Sequence, residues 1–304
     1  MTSPDLMYVV GEALVDVVID GDARREHAGG SPMNVAYGLA RLGLATCLRT
    51  HLGRDDAGRL LEAHLESAGV DIAAGSFGEA ATSKAIATIQ ADRHAEYEFE
   101  IEWAPEAVEI PEGARVAHTG SIASVLDPGA DAVARAFAAA PAGALLSLDP
   151  NVRPQIAPDR DVVSARIDRL AGLVHVLKLS DEDAAWLHPG LPHDAVLDHY
   201  LGAGASVVAM TRGGEGCLIA SRTDRLTRAA LPVDVVDTIG AGDAFMSGLL
   251  YGIVSAGLDE AVREGAISGE ELAALADTAL RSARVAVSRA GANPPTLAEL
   301  VAPA

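Results

Sequence analysis

Hydrophobic and polar positions alternate along this chain in two different rhythms. Met7 to Val10 is a short apolar run that stops at Gly11, and Ala13 to Ile19 alternates around Asp16 before Asp20 and the turn pair Gly21-Asp22. A short apolar run and a period of two each predict a strand. Ser31-Pro32 then offers an N-cap followed by proline at the first helical position, with Val35, Leu39, Ala40 and Leu42 on one face and Gly43 as the stop. Asp55 to Gly69 repeats that arrangement around Leu60, Leu61 and Leu65. Strand-like runs at 144–148, 173–177 and 206–210 alternate with helical spacing near 129–139, 160–169, 193–203 and 270–288. Leu231 to Val236 reads as another buried strand, feeding a helix from Ala244 to Val254. This alternation predicts an α/β fold with a mostly parallel sheet and helices on both of its faces.

One segment departs from that rhythm. From Glu96 to Trp103, glutamates at 96, 98, 100 and 102 face one way and Tyr97, Phe99, Ile101 and Trp103 the other, in a chain only 4% aromatic. With strands at 83–91 and 13–28, it predicts a small antiparallel sheet. Its apolar face either covers a cleft as a lid, spanning about 13–28 and 83–103, or forms a dimer surface. No repeat or low-complexity linker divides the chain, so residues 1–304 read as one domain carrying that lid.

Composition narrows the function classes. With 304 residues, 49% of them hydrophobic, the chain can bury a large core. A formal charge of −20 disfavours nucleic-acid and anionic-membrane partners, which require a basic footprint. The only lysines are Lys84 and Lys178, and no Gly-Lys pair exists, which excludes the lysine-bearing phosphate loop. Cys47 and Cys217 show no metal or disulfide spacing, and the nine histidines are scattered, so neither type is expected to hold a metal. No eighteen-residue apolar run and no basic leader occur; a cytoplasmic protein is the expectation.

Chemistry concentrates in short glycine- and acid-bearing segments. Asp237-Thr238-Ile239-Gly240-Ala241-Gly242-Asp243 stands at a helix start, where unpaired N–H groups and the dipole favour an anion. Asp243 has two readings there: a base for an incoming hydroxyl, or an ordinary first-turn acid. Gly29-Gly30-Ser31-Pro32-Met33-Asn34 permits close backbone approach and offers an amide suited to sugar hydroxyls, or it is simply a turn. Asp16 inside an apolar strand needs a polar partner. Asp149-Pro150-Asn151-Val152-Arg153, Lys178-Leu179-Ser180-Asp181-Glu182-Asp183 and Thr211-Arg212-Gly213-Gly214-Glu215-Gly216 each follow a predicted strand, at the end where α/β sheets bind ligands.

Together with Arg289-Ala290-Gly291-Ala292, these segments resemble, in order across nearly the whole chain, the ribokinase-like (PfkB) sugar kinases, and among them bacterial fructokinases. The resemblance implies a doubly wound core with a β lid and transfer of the ATP γ-phosphate to a sugar hydroxyl. Asp243 would be the base, the amides of Gly240, Ala241, Gly242 and Asp243 an anion hole, and Arg153 a stabiliser of charge. Asp16, Gly29, Gly30, Asn34, Phe99, Ile101, Ser121 and Asn151 would meet the sugar. Lys178, Ser180, Thr211, Gly213, Gly216, Gly240 and Gly242 would line the nucleotide site. Asp183 would face Mg²⁺ through water, and Asp237, Ile239, Ala286, Arg289 and Gly291 would surround a monovalent cation such as K⁺. No Arg or Lys lies between Arg93 and Arg115, which points to a neutral sugar, fructose giving fructose 6-phosphate. The alternatives are a 2-keto-3-deoxygluconate, ribose or nucleoside kinase, or a non-catalytic sugar sensor. A homodimer through the lid is compatible with each.

Overall fold

The computed structural model describes residues 5–90 and 95–302. Its strands, in chain order, are β1 (Leu6–Val10), β2 (Leu14–Asp20), β3 (Ala23–Gly29), β4 (Thr46–Arg49), β5 (Leu52–Gly53), β6 (Asp71–Ile72), β7 (Phe77–Gly78), β8 (Lys84–Ile89), β9 (Ala95–Glu100), β10 (Ala114–Gly120), β11 (Leu145–Asp149), β12 (Val176–Ser180), β13 (Val207–Thr211), β14 (Cys217–Ser221) and β15 (Arg225–Arg228). The helices are α1 (Ser31–Arg41), α2 (Asp56–Ala68), α3 (Ser121–Val125), α4 (Gly129–Ala138), α5 (Arg160–Ala171), α6 (Asp181–Leu187), α7 (His193–Ala203), α8 (Ala241–Ser255), α9 (Asp259–Glu264), α10 (Gly269–Val287) and α11 (Leu297–Val301). No helix among the described residues is long and apolar enough to cross a membrane.

Nine strands form one sheet in the order β15-β14-β13-β12-β11-β10-β1-β4-β6, parallel from β13 through β6 and antiparallel at β14 and β15. Strands such as β11, buried at every position, are apolar on both sides because helices cover both faces. One core packs α1, α2, α8 and α10 against the sheet; the other packs α4, α5 and α7 against the opposite face. Chain order reverses between β1 and β10, so the crevice beyond their carboxyl ends is a natural ligand site.

Helix α8 is apolar on nearly every side and lies between α1 and α10. Glycines permit that approach. A Cβ on Gly38 would sit 2.5 Å from Ser247 Oγ, and one on Gly248 would sit 2.6 Å from Ser282 Cβ. Close packing on both flanks fixes where the N-terminus of α8 points.

The second sheet has the order β3-β2-β8-β9. It is mixed rather than antiparallel, because β2 and β8 run parallel. Its register aligns His27, Asp16, Ala85 and Phe99 in one row and Arg25, Val18, Ala87 and Tyr97 in a neighbouring one, so these residues share a face. Val15 and Val17, on the other face, are fully buried in the main core.

Three expected elements differ. The run Leu231–Val236 forms no strand: the sheet edge beyond β14 is already taken by β15, and Val235 and Val236 are exposed. The strand expected from Leu173 begins at Val176, because Leu173 and Val174 donate to Leu170 and close the end of α5. Trp103 leaves the small sheet for the main body, where it is 2% exposed and its Nε1–H donates to the Ala123 carbonyl at 3.2 Å. The expected strand end at Ala91 lies outside the described residues; β8 is described to Ile89. Cys47 and Cys217 are both free thiols.

Replacing Trp103 by Ala would open a cavity beside Gly129, where a Cβ would already lie only 2.3 Å from the indole. The expected loss is about 3–5 kcal/mol of unfolding free energy, read from urea denaturation.

Candidate active site

Helix α8 opens at Gly240, whose φ of 73° is left-handed and whose Cβ, if present, would meet Ala292 at 2.7 Å. Only glycine turns the chain there without strain. Ala241, Gly242 and Asp243 make the first helical turn, where N–H groups lack helical acceptors and the dipole is positive. A first turn of this kind can seat an anion on its backbone, although the Ala241 N–H here donates to the Thr238 carbonyl at 3.2 Å.

Asp243 sits in that turn, buried, with both carboxylate oxygens occupied from α1. Ser31 Oγ–H donates to Oδ1 at 2.6 Å, and Asn34 Nδ2–H donates to Oδ2 at 2.8 Å. The expectation of Ser31 as N-cap is therefore corrected: Gly30 takes that position with φ 106°, freeing the hydroxyl for Asp243. A Cβ on Gly30 would lie 2.7 Å from the Glu12 carbonyl, so the backbone bend that aims Ser31 requires glycine. Asn34 spends its amide N–H on the carboxylate; its carbonyl oxygen remains an acceptor.

Beneath the turn lies a buried ion pair. Lys178 Nζ donates to Asp149 Oδ2 at 2.9 Å, and a Cβ on Gly242 would sit 2.8 Å from the same Nζ. The ammonium is thus directly behind the first turn of α8. Burial works against its charge, but Asp149, Asp183 and Asp243 outweigh that and hold its pKa above the ordinary lysine value. Burial pushes Asp149 up to about 7, against the pull of Lys178 and with the push of Asp183 and Asp243. On β10, opposite Ser147, His118 is pushed down to about 3 by burial and by Lys178, so it stays neutral, bonded through Nδ1 to Ser147 Oγ at 3.0 Å.

The loops after β10, β11 and β12 complete the floor. Ser121 and Asn151 hold positive φ values of 51° and 39°, uncommon for non-glycine residues and frequent at functional turns. Arg153 is exposed, donates to the carbonyls of Asn151 and Val152, and places its charge within reach of Glu12 and Asp16. Burial raises the pKa of Asp16, against His27 and Arg153. Ser180 caps α6. Asp183 accepts from Ser180 N at 2.9 Å and from Val152 N at 2.8 Å, so both oxygens first serve to tie β11's loop to α6.

The remaining expected positions fall into two groups. Thr211, Gly213 and Gly216 lie together on the β13–β14 hairpin, with Thr211 Oγ1–H reaching the Leu179 carbonyl at 3.4 Å. Asp237 joins the loop before α8 to that after α10: Ile239 N donates to its Oδ1 at 3.0 Å and Gly291 N to its Oδ2 at 2.8 Å. These backbone bonds hold the Asp237 pKa below the usual carboxylate value. Ala286 is buried in α10, and Arg289 turns to Glu299 and Asn293. On the lid, Phe99 shares Asp16's face, while Ile101 follows the end of β9.

A family model described as pfkB family carbohydrate kinase matches residues 5–299. The chain belongs to that family. This kinase is 33% identical over 270 residues to fructokinase-1 of Oryza sativa subsp. japonica, covering 82% of this chain and 83% of that one. It is 30% identical to a fructokinase of Rhizobium leguminosarum bv. trifolii, over 81% of this chain and 78% of that one. A crystal structure of fructokinase with bound ATP from Xylella fastidiosa superposes with a TM-score of 0.82 at 25% identity, covering 98% and 97% of the two chains.

Sequence reasoning missed Glu12 and Ser31 in this kinase. Glu12 follows β1, fully enclosed; its Oε2 accepts from Ala123 N at 3.0 Å, and its Oε1 meets no donor at hydrogen-bond distance among the described residues. A charged residue one position beyond Gly11 was the available signal. Burial pushes its pKa up to about 7, against bonds from its own backbone, Ser121 and Ala123 and the charge of Arg153.

A folded-state pKa above the unfolded one stabilises fully below the unfolded value and is lost as pH rises through about 7. Glu12→Gln is therefore expected to gain about 3 kcal/mol over the native chain at pH 8 relative to pH 4, measured by urea denaturation at both. Identical differences at the two pH values would show that Glu12 is not held protonated.

Proposed function

We propose that this carbohydrate kinase is an ATP-dependent fructokinase that converts fructose to fructose 6-phosphate, with Asp243 as the base. The observation that carries the proposal is the Asp243 carboxylate, fixed by Ser31 and Asn34 at the edge of the α8 anion seat. A carboxylate beside a phosphate site repels phosphate unless a neutral hydroxyl lies between them. In the proposed step, the sugar hydroxyl oxygen attacks the γ-phosphorus in line while the bond to the β–γ bridging oxygen breaks. The hydroxyl proton passes to Asp243, and ADP leaves with the electron pair. The N–H groups of Gly240, Ala241, Gly242 and Asp243 are the proposed donors to the developing charge, that of Ala241 on leaving the Thr238 carbonyl it meets at 3.2 Å, with Lys178 behind them and Arg153 as the proposed counter-charge.

Asp16, Gly29, Gly30, Asn34, Ser121, Asn151 and the lid residues Phe99 and Ile101 are the proposed sugar side. Thr211, Gly213, Gly216 and Ser180 form the proposed nucleotide side. The fructokinase homologues and the ATP-bound neighbour support both substrates. Mg²⁺, when bound with ATP, neutralises β- and γ-phosphate oxygens. Both Asp183 oxygens already accept an N–H, which fits an outer, water-mediated contact to that ion. Asp237, bridging the loops that carry Ile239 and Gly291, is the proposed centre of a K⁺ site with Ala286 and Arg289. The proposed setting is the cytoplasm.

One observation favours a second substrate. The lid face bearing Asp16 also carries Arg25, so a cation is present there despite the gap between Arg93 and Arg115. Equal amounts of fructose, ribose, a nucleoside and 2-keto-3-deoxygluconate, each offered with ATP, separate the readings by ADP release. Fructose is expected to lead by at least tenfold in kcat/KM; a lead for the acid sugar would transfer the role to Arg25, and no turnover with any would indicate a sugar sensor. The exposed Tyr97, stacked on Phe99, is the proposed dimer contact. Tyr97→Glu is expected to convert a dimer to monomer in sedimentation equilibrium.

A further inference from the structure

Away from the proposed catalytic crevice, α5, the end of α6 and α7 bring three ligand-type side chains together. Asp168 on α5, His188 at the C-cap of α6 and His199 on α7 each offer one ligand atom, all within 4.8 Å of one another. His199 Nε2 is 2.8 Å from Asp168 Oδ1. The two imidazoles lie with ring centroids 4.8 Å apart, and Tyr200 Oη, 2.8 Å from His188 Nε2, holds the second ring in place. Asp168 and His199 keep about two fifths of their side-chain surface open, at 43% and 39%, so an ion and its water can enter.

The geometry points to a binding site for one divalent transition-metal ion of the zinc class, held by Asp168, His188 and His199 with solvent in the remaining position. Two imidazoles and a carboxylate are ligands that suit Zn²⁺ and its neighbours, and disfavour Mg²⁺, which takes oxygen ligands. Around a tetrahedral ion, ligand atoms stand roughly 3–3.5 Å apart, so closing the site requires a contraction of about 1–2 Å by side-chain rotation. The three ligands come from three helices packed on the same side of the sheet, so an ion here clamps α5, α6 and α7 to one another. The sequence alone gave no sign of it, because the residues lie in separate elements and match no metal-binding spacing.

Isothermal titration of the full chain with ZnCl₂ alone, without nucleotide or sugar, tests the site. One ion per chain is expected, with affinity reduced at least tenfold in His199→Asn and in Asp168→Asn and unchanged in Asp243→Asn. Zn²⁺ is also expected to raise the urea midpoint of the native chain and not that of His199→Asn, since binding to the folded state alone stabilises it. Absence of a one-to-one component in the native chain would overturn the assignment. So would native-like Zn²⁺ affinity in both exposed-site variants, or loss of binding in Asp243→Asn.

Discussion

Two hydrogen bonds that cross most of the chain set the character of this molecule. Ser31 and Asn34, at the start of α1, grip the two oxygens of Asp243, in the first turn of α8 more than two hundred residues later. The grip depends on Gly30, whose left-handed backbone turns Ser31 inward, and on the close packing of α8 against α1 at Gly38 and against α10 at Gly248. It joins the β2–β3 hairpin of the small sheet to the first turn of α8, since β3 runs directly through Gly29 into α1. An acid that would otherwise repel a phosphate is aimed in one direction.

Charge inside the protein is arranged to the same end. The chain as a whole carries −20, yet the first turn of α8 has a buried ammonium at its back, and an exposed guanidinium, Arg153, stands in the loop after β11 within reach of Glu12 and Asp16. Asp149 keeps Lys178 in place, while His118 below them stays neutral and adds no competing charge. Under the proposed reaction, a net-acidic protein offers an anion a locally favourable seat through positive groups fixed in place rather than scattered over the surface.

Much of this was legible in the amino-acid sequence. The strand–helix alternation gave α2, α4, α5, α7 and α10 nearly to the residue, and the glycines around Ala241 marked the start of α8. The segment Leu231–Val236 misled because β-branched composition reports a preference for extended backbone and nothing about a free sheet edge. Trp103 continued an alternating pattern past the end of its strand, and period alone does not say where a chain leaves a sheet. The Ser31–Asp243 bond, the Lys178–Asp149 pair and the enclosed Glu12 were invisible for one reason: each depends on which elements pack side by side, α1 on α8, β11 beside β12 and β1 beside β10, which local spacing does not encode. The glutamate alternation correctly located β9, but the mixed pairing of β2 with β8 follows from chain topology, which local spacing does not encode.

The account stands on the claim that Asp243 takes the proton from the sugar. Asp243→Asn keeps the size, leaves Ser31 an oxygen to meet and lets Asn34 turn its amide so that its own oxygen accepts from the new N–H, so it removes the proton acceptor while keeping the frame. Turnover of fructose with ATP and, in parallel, fructose binding by calorimetry measure that claim directly. The account predicts turnover reduced roughly 10²–10⁴-fold with binding retained; turnover close to that of the native chain would contradict it.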